Sequence, residues 1–149
     1  MKKTITCILL TAGLTGYLSA QTPVQDKSDK NSGKVIRMDK QMFLDNIFDY
    51  TSGSTNWKYK GEKPAVIDFY ATWCGPCRML GPVLEKAAES LPDGVQIVKY
   101  NVDECQDVAS QLGVRGIPTL AVYKDGQLQA QQAGAMNSAQ FSEFLKNFI

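Results

Sequence analysis

The chain has 149 residues, of which 44% are hydrophobic and 21% are charged, and its formal net charge is +1. These values are typical of a single globular domain with its own hydrophobic core. The sequence contains no histidine, which excludes histidine general-base catalysis, a Ser-His-Asp triad and every histidine metal ligand. Because the charge is nearly balanced, we expect no nucleic-acid partner.

The first 20 residues have the pattern of a secretory signal peptide. Lys2 and Lys3 precede an apolar stretch over residues 5–17, which is followed by small residues up to Ala20. The stretch is short compared with the roughly 20 residues that a membrane-spanning helix needs. We therefore predict a signal peptide over residues 1–20 that is cleaved after Ala20, exports the chain to the periplasm and leaves no membrane anchor.

The rest of the chain divides into a polar segment and a domain with regular hydrophobic patterns. Residues 21–34 are polar and rich in turn-forming types, which predicts a flexible linker. Within the domain, residues 35–149, the predicted elements are a strand at 35–38, a helix capped by Asp39 with Met42, Phe43, Ile47 and Phe48 on one face, a buried strand at 65–70, a helix at 77–91 that contains Pro82, a strand at 95–102, a helix at 108–112, a hairpin of strands at 119–123 and 128–132, and a last helix carrying Phe141, Phe144, Leu145 and Phe148. This order predicts an α/β fold in which helices flank both faces of a central mixed β-sheet.

The motif Trp73-Cys74-Gly75-Pro76-Cys77 carries the strongest chemical signal in the sequence. It directly follows a buried strand and opens a helix, where free backbone N–H groups and the helix dipole stabilise a thiolate. The pKa of Cys74 is therefore expected to fall, which makes its sulfur nucleophilic near neutral pH. Two intervening residues allow Cys77 to turn back along the first helical turn and form a reversible disulfide with Cys74.

The cysteine pair has two other interpretations, a zinc half-site and a permanent disulfide. A structural zinc site usually takes four protein ligands, whereas the chain after cleavage has three cysteines and no histidine. A permanent disulfide does not explain why the pair stands between a strand and a helix. The redox interpretation is therefore favoured.

These motifs resemble those of thioredoxins. The resemblance rests on Trp-Cys-Gly-Pro-Cys-Arg-Met at 73–79, on Val-Ile-Asp-Phe-Tyr-Ala at 66–71 and on Gly-Ile-Pro-Thr at 116–119, in this order and spacing. It covers residues 35–149 and implies a thioredoxin fold and a thiol–disulfide oxidoreductase without a cofactor. Thioredoxins are themselves a well-known example of a lowered cysteine pKa, so the direction expected for Cys74 is a known property of the family.

The resemblance implies a role for four side chains. Cys74 would be the nucleophile that forms a mixed disulfide with a substrate protein, and Cys77 would be the resolving cysteine. Asp68, in the apolar strand, would be buried and accept the Cys77 proton; the alternative is a solvent-facing strand acid. Lys99 matches the family lysine near this aspartate, and an exposed lysine near a strand end is its alternative.

The resemblance also implies an apolar docking surface. Ile117-Pro118 matches the family's cis-proline turn, where the backbone of Ile117 would meet an extended substrate segment. The alternative is an ordinary trans proline at the start of an edge strand. The other members of the docking surface would be Trp73, Gly75, Pro76, Gly134 and Ala135. For Trp73, a place in the hydrophobic core is the alternative.

Two features depart from the best-known pattern of the family. Tyr70 stands where many members have tryptophan, a change that we expect to be tolerated. The connection at 49–63, which carries Trp57 and Tyr59, is longer than usual and is expected to reshape one side of the docking surface. The remaining cysteine of the domain, Cys105, is expected to be a small, partly buried residue outside the catalytic cycle.

Gly-Pro between the two cysteines resembles the reducing members of the superfamily and predicts a disulfide reductase. Because disulfides persist outside the cytoplasm, such a reductase needs electrons from across the membrane. We infer a membrane thiol reductase as its electron donor and disulfide-bonded proteins as its substrates, and we expect a monomer. The alternatives are a net dithiol oxidase in the same compartment and a non-catalytic binding module, against which the intact Cys-Gly-Pro-Cys argues.

Overall fold

The computed structural model describes residues 33–52, 58–104 and 106–149. The predicted signal peptide, most of the predicted linker, Trp57 and Cys105 lie outside the described residues. The strands are β1 (Val35–Met38), β2 (Ala65–Tyr70), β3 (Gln96–Asn101), β4 (Thr119–Lys124) and β5 (Gln127–Ala133), and the helices are α1 (Lys40–Asn46), α2 (Gly75–Ala88), α3 (Gln106–Gln111) and α4 (Ser138–Leu145). A 3-10 turn at Tyr50–Ser52 follows α1.

The strands of the described residues form one mixed sheet in the order β1-β3-β2-β4-β5. β3 pairs in parallel with both β1 and β2, whereas β4 is antiparallel to β2 and to β5. The central strand β2 is buried from Ala65 to Phe69, as its continuous apolar pattern predicts. This topology confirms the predicted α/β fold with a central mixed sheet.

Side chains that alternate along the strands divide the core into two layers. On one face of the sheet, Ile67 belongs to a cluster that includes Phe43 of α1 and Val108 of α3. On the opposite face, Val66 belongs to a cluster that includes Leu84 and other side chains of α2 and α4. Helices therefore cover both faces of the sheet, and α2 and α4 share one of them.

The predicted apolar face of α1 is wrong at one position. Asp39 caps the helix as predicted, since its side chain accepts a hydrogen bond from the N–H of Met42 at 2.8 Å. Phe43, Ile47 and Phe48 are buried, but Met42 is 38% exposed. Because α1 ends before Ile47, the last two side chains reach the core from the turn that follows, where helical spacing no longer applies.

α2 begins two residues earlier than predicted, at Gly75, and ends three residues earlier, at Ala88. Cys74 is its N-cap, and Pro76 lies in its first turn. Proline suits this position because its φ is already helical and its missing N–H would have no partner within the helix. Glycine and proline are poor residues inside a helix, so propensity alone placed the start too late. Pro82 lies inside the helix, as predicted.

The predicted hairpin between β4 and β5 is confirmed. Asp125 and Gly126 have φ values of 52° and 80°, and two successive positive φ angles are what a type I′ turn requires. β5 is one residue longer at each end than predicted and lies at the edge of the sheet, where nearly all its side chains are exposed. This exposure explains its polar sequence.

The described part of the long connection packs at the far end of the sheet from the cysteines. The N–H of Tyr59 donates to the C=O of Gly126 in the β4–β5 turn at 2.8 Å, and its ring centroid lies 5.8 Å from that of Tyr123. Tyr123 pairs with Ala65 at the start of β2, whereas the cysteines follow the end of that strand. The expectation that this connection reshapes the docking surface is therefore wrong for residues 58–63.

Candidate active site

One end of the sheet gathers the residues that the sequence singles out. β2 and β3 both end there, because they are parallel. β4 starts there and β5 ends there, because Phe69 of β2 pairs with Thr119 of β4 and Thr119 pairs with Ala133 of β5. The segments just beyond these strand ends therefore meet at one edge, and they are residues 71–77, 102–104, 116–118 and 134–135.

The cysteine pair lies at the N-terminus of α2. Cys74 and Cys77 are joined by a disulfide, with their Cα atoms 5.3 Å apart. The N–H of Cys77 also donates a hydrogen bond to Sγ of Cys74 at 3.2 Å. Cys74 is 4% exposed and Cys77 is 1% exposed. The sulfur of Cys74 therefore lies where unpaired N–H groups and the positive end of the helix dipole stabilise a negative charge.

A proline turn packs against the cluster that contains the cysteine pair. The peptide bond between Ile117 and Pro118 is cis, as the resemblance to thioredoxins implies, and Ile117 packs against the cluster of Ala71, Cys74 and Cys77. The C=O of Pro118 accepts a hydrogen bond from the N–H of Gly134 at 2.8 Å. Gly134 has a φ of 98°, a left-handed conformation that favours glycine. Together with exposed Ala135, these residues form the second side of the site.

Trp73 lies on the surface next to the cysteine pair, with 68% of the residue exposed. Its Nε1–H donates a hydrogen bond to Oδ2 of Asp103 at 2.9 Å, which holds the indole against the loop after β3. Pro76 is exposed and Gly75 is half-buried. The alternative of a core position for Trp73 is therefore wrong, and the redox pair has an exposed apolar rim.

Asp68 is fully buried below α2. Its relative exposure is 0%, and it alternates with Ile67 and Phe69, which face the other layer. Neither of its carboxylate oxygens accepts a hydrogen bond from a described residue. Burial raises the pKa of Asp68 to about 6, and the Lys99 cation opposes part of this rise. The alternative of a solvent-facing acid is wrong.

Lys99 lies beside this carboxyl in the sheet. The two residues are register partners, and Nζ of Lys99 lies 3.9 Å from Oδ2 of Asp68. The same Nζ lies 3.7 Å from the place that a Cβ on Gly81 of α2 would take. Cys77 is one helical turn before Gly81 and shares its face of α2. The carboxyl and the ammonium group therefore lie below the helix face that carries Cys77.

This arrangement suits thiol–disulfide exchange with another protein. A disulfide at a helix N-terminus is a redox group, a buried carboxyl of raised pKa can accept a proton, and an exposed apolar rim can be covered by a partner. Within residues 33–52, 58–104 and 106–149, no group of three or more His, Cys, Asp or Glu side chains is arranged to hold a metal ion. No helix in the same ranges is long and apolar enough to cross a membrane.

Sequence reasoning missed two residues of the site, Val102 and Asp103. Val102 packs against the small cluster of Ala71, Cys74 and Cys77, and its N–H donates to the C=O of Tyr70 at 2.9 Å. Asp103 holds the indole of Trp73. A signal was available for both, because they directly follow β3, and the carboxyl ends of neighbouring parallel strands meet at the edge where sites of α/β proteins form.

Comparisons with known proteins agree with this geometry. The Thioredoxin family model matches residues 53–147. The chain is 44% identical to a thioredoxin of Acidithiobacillus ferridurans over 86 residues, which cover 58% of this chain and 80% of that protein. It is 35% identical to a thioredoxin of Borreliella burgdorferi over 115 residues, which cover 76% of this chain and 97% of that protein. Among solved structures, it is similar to a mutant thioredoxin of Halobacterium salinarum, with a TM-score of 0.63, 32% identity, and coverage of 79% of this chain and 93% of the other.

Proposed function

The chain belongs to the thioredoxin family and is a protein-disulfide oxidoreductase, and we propose that it reduces disulfide bonds of proteins outside the cytoplasm. The observation that carries this proposal is the disulfide between Cys74 and Cys77 at the N-terminus of α2, below an exposed apolar rim. A cysteine pair that closes and reopens in this place transfers two electrons to a bound protein.

The proposed reaction has two thiol–disulfide exchanges. The thiolate of Cys74 attacks one sulfur of a substrate disulfide, so that a mixed disulfide forms and the other substrate sulfur leaves as a thiolate. The thiolate of Cys77 then attacks the sulfur of Cys74, and the second substrate sulfur leaves. The substrate gains two electrons and two protons, and the chain ends with the Cys74–Cys77 disulfide.

Asp68 is the proposed proton acceptor for Cys77, and Lys99 modulates the pKa of its carboxyl. The second exchange requires Cys77 to lose its proton inside a buried site. A carboxyl whose pKa is raised to about 6 by burial is ionised at neutral pH, yet it is a better base than an exposed aspartate. Its place below the Cys77 face of α2 supports this role. The proton passes from Cys77 to Asp68 either directly or through one water molecule.

The proposed docking surface surrounds the cysteine pair on two sides. An extended segment of the substrate lies along the backbone of Ile117 and meets exposed apolar groups next to the disulfide. The members of this surface are Trp73, Gly75, Pro76, Ile117, Pro118, Gly134 and Ala135, which the fold brings to one edge of the sheet. The exposure of Trp73 supports the role, because covering a large exposed indole with a partner removes much apolar surface from water.

The proposed compartment follows from the N-terminal pattern. A signal peptide at residues 1–20 directs the chain to the periplasm, residues 21–34 form a linker, and residues 35–149 form the thioredoxin domain. The chain acts as a monomer, since one copy carries both cysteines, and a membrane thiol reductase returns it to the dithiol state. The Gly-Pro pair between the cysteines supports the reducing direction.

Single cysteine variants test the proposed order of attack. Cys77→Ser is expected to accumulate mixed disulfides with substrate proteins, because it keeps the nucleophile and lacks the resolving thiol. Cys74→Ser is expected to lose insulin reduction and to trap nothing. Cys105→Ser is the matched control and is expected to reduce insulin at the wild-type rate. Trapping by Cys74→Ser but not by Cys77→Ser would show that the roles are reversed.

The direction of electron flow needs a measurement in cells. Acid quenching followed by thiol alkylation preserves the redox state of Cys74 and Cys77. A mainly dithiol population is expected for a reductase that is recharged by a membrane donor. A population that is almost entirely disulfide-bonded would favour the oxidase instead.

A further inference from the structure

The ring of Tyr70 contacts the same cation that faces Asp68. Nζ of Lys99 lies 4.5 Å from the centroid of the Tyr70 ring and 3.9 Å from Oδ2 of Asp68. The first distance is well within the roughly 6 Å over which an aromatic face attracts an ammonium group. Lys99 therefore contacts a π face and a carboxylate at the same time.

The register of the sheet places the three side chains together. Asp68 and Tyr70 are two residues apart on β2 and so point to the same face, and Lys99 is the register partner of Asp68 on β3. Tyr70 also packs against the small buried cluster of Ala71, Cys74 and Cys77. It therefore contacts both the cluster that contains the redox pair and the cation beside the buried carboxyl.

The elements around Lys99 bring no second carboxylate to it within the described residues. Arg37 of β1 is its other register partner and has the same charge. The register partner of Asp68 on β4 is Leu120. On α2, the ammonium group approaches the backbone at Gly81, and the charged residues of that helix are exposed. The contacts that hold Lys99 inward are therefore those with Asp68 and Tyr70.

We propose that Tyr70 is a positioning residue: its ring holds the Lys99 ammonium beside Asp68 and so keeps a cation at the carboxyl that takes up the Cys77 proton. The catalytic part of this inference rests on the proposed function, whereas the coupling between ring, cation and carboxyl does not. The Lys99 side chain is 15% exposed and has a flexible four-carbon stem, so without the ring its ammonium moves towards solvent. Asp68 then keeps its proton to a higher pH.

The test is a pH titration of Asp68, monitored through the 13C NMR signal of its carboxyl. The oxidised protein is used, because Cys74 and Cys77 do not titrate in the disulfide. Tyr70→Leu is expected to raise the midpoint by roughly half a pH unit, and Tyr70→Phe is expected to leave it unchanged because the aromatic face remains. Lys99→Met is expected to raise the midpoint at least as far. The double variant is expected to match Lys99→Met, because both changes act on one contact.

Two further variants separate the electrostatic effect from packing. Pentafluorophenylalanine in place of Tyr70 keeps an aromatic ring but reverses the sign of the electrostatic potential over its face. It is therefore expected to raise the Asp68 midpoint, and it serves as the test if Tyr70→Leu fails to fold. Tyr50→Leu is the matched control, because it removes a ring that lies 5.8 Å from the ammonium of Lys40 at the surface. It is expected to leave the midpoint of Asp68 unchanged.

The kinetic readout is the pH dependence of mixed-disulfide resolution, whose acid limb is expected to move in the same direction as the midpoint. An unchanged midpoint in Tyr70→Leu and in the fluorinated protein would overturn the proposal and leave the proposed function untouched. The proposal would also be overturned if Tyr70→Leu raised the Asp68 midpoint by the same amount in the Lys99→Met protein as in the wild type, because Tyr70 would then act without Lys99. Full activity of Asp68→Ala would instead overturn the catalytic part, together with the proposed role of Asp68.

Discussion

At the residue scale, the carboxyl of Asp68 combines complete burial with one nearby cation among the described residues. It is 0% exposed, its oxygens accept no hydrogen bond from a described residue, and the ammonium group of Lys99 lies 3.9 Å away. Desolvation outweighs this attraction, which is why the pKa of Asp68 rises to about 6 instead of falling. A carboxyl of this kind lowers stability when it is charged, and the same property makes it a useful base.

Asp68→Ala is therefore expected to stabilise the fold at neutral pH. The native pKa of about 6 lies above the ordinary 3.8, so between these values the native state binds more protons than the unfolded state. The wild-type destabilisation is thus absent below pH 3.8, grows as the pH rises to about 6, and is full above it. The expected gain in the free energy of unfolding at pH 7 is about 1 to 3 kcal/mol, and it vanishes near pH 3.5.

Thermal melts of the wild type and Asp68→Ala at pH 3.5 and pH 7 measure this gain. Stopped-flow kinetics with a mixed-disulfide substrate are expected to show slower resolution in the variant, with little change in the rate at which the mixed disulfide forms. A variant that melts below the wild type at pH 7, or that resolves the mixed disulfide at the wild-type rate, contradicts the prediction.

At the element scale, the segment that leads into β2 is tied to the β4–β5 turn and not to the active site. Besides the backbone bond from Tyr59 to Gly126, the hydroxyl of Tyr59 donates to the C=O of Lys63 at 2.6 Å. A Cβ on Gly61 would overlap the Tyr59 ring, so glycine lets the chain pass closely over the tyrosine. Residues 58–63 therefore stabilise the end of the sheet that lies opposite the cysteines.

Tyr59→Phe is expected to lower the free energy of unfolding by about 1 kcal/mol, because the C=O of Lys63 loses its hydrogen-bond donor. Insulin reduction is expected to stay at the wild-type rate, since the cysteines lie at the opposite end of the sheet. Urea denaturation measures the first effect. Tyr50→Phe is the control, because it removes an exposed hydroxyl that bonds Asp107, and it is expected to change stability by less than about 0.5 kcal/mol. Slower insulin reduction by a folded Tyr59→Phe protein would contradict this prediction and indicate that residues 58–63 belong to the docking surface.

At the scale of the whole molecule, the sheet topology separates a reactive end from a closed end. At the reactive end, strand ends from distant parts of the chain meet near the cysteines. At the closed end, the type I′ turn packs against the segment at 58–63. Among the described residues, β1 is the first strand and lies at one edge of the sheet.

Removal of the leader is a prediction for the whole chain. Intact-mass measurement of the exported protein is expected to give a chain that begins at Gln21, because the small residue Ala20 ends the apolar stretch. Ala20→Leu places a large side chain at the cleavage position and is expected to leave the precursor uncut. Full-length protein retained in the membrane fraction of the wild type would contradict the prediction.

Much of the fold and part of the site could be predicted because their causes are local. The buried pattern of Ala65 to Phe69 lies within one strand, Asp125 and Gly126 form their own turn, and Asp39 caps the helix that follows it. The spacing of Cys74 and Cys77 limits them to one helical turn. Where local patterns were misleading, as at the two ends of α2, the errors were two and three residues.

By itself, the sequence determined the element order and the place of the redox pair, since these depend on residues a few positions apart, and the element order in turn predicted a mixed sheet. Only the tertiary structure decided that Tyr59 packs at the far end of the sheet, that Asp103 holds Trp73, and that the ring of Tyr70 meets the ammonium group of Lys99. The contacts of Asp103 with Trp73 and of Tyr70 with Lys99 join residues about 30 positions apart in the chain. The contact of Tyr59 with the β4–β5 hairpin joins residues about twice as far apart in sequence. Which of these residues meet depends on strand order and register, and these follow from how the whole core packs.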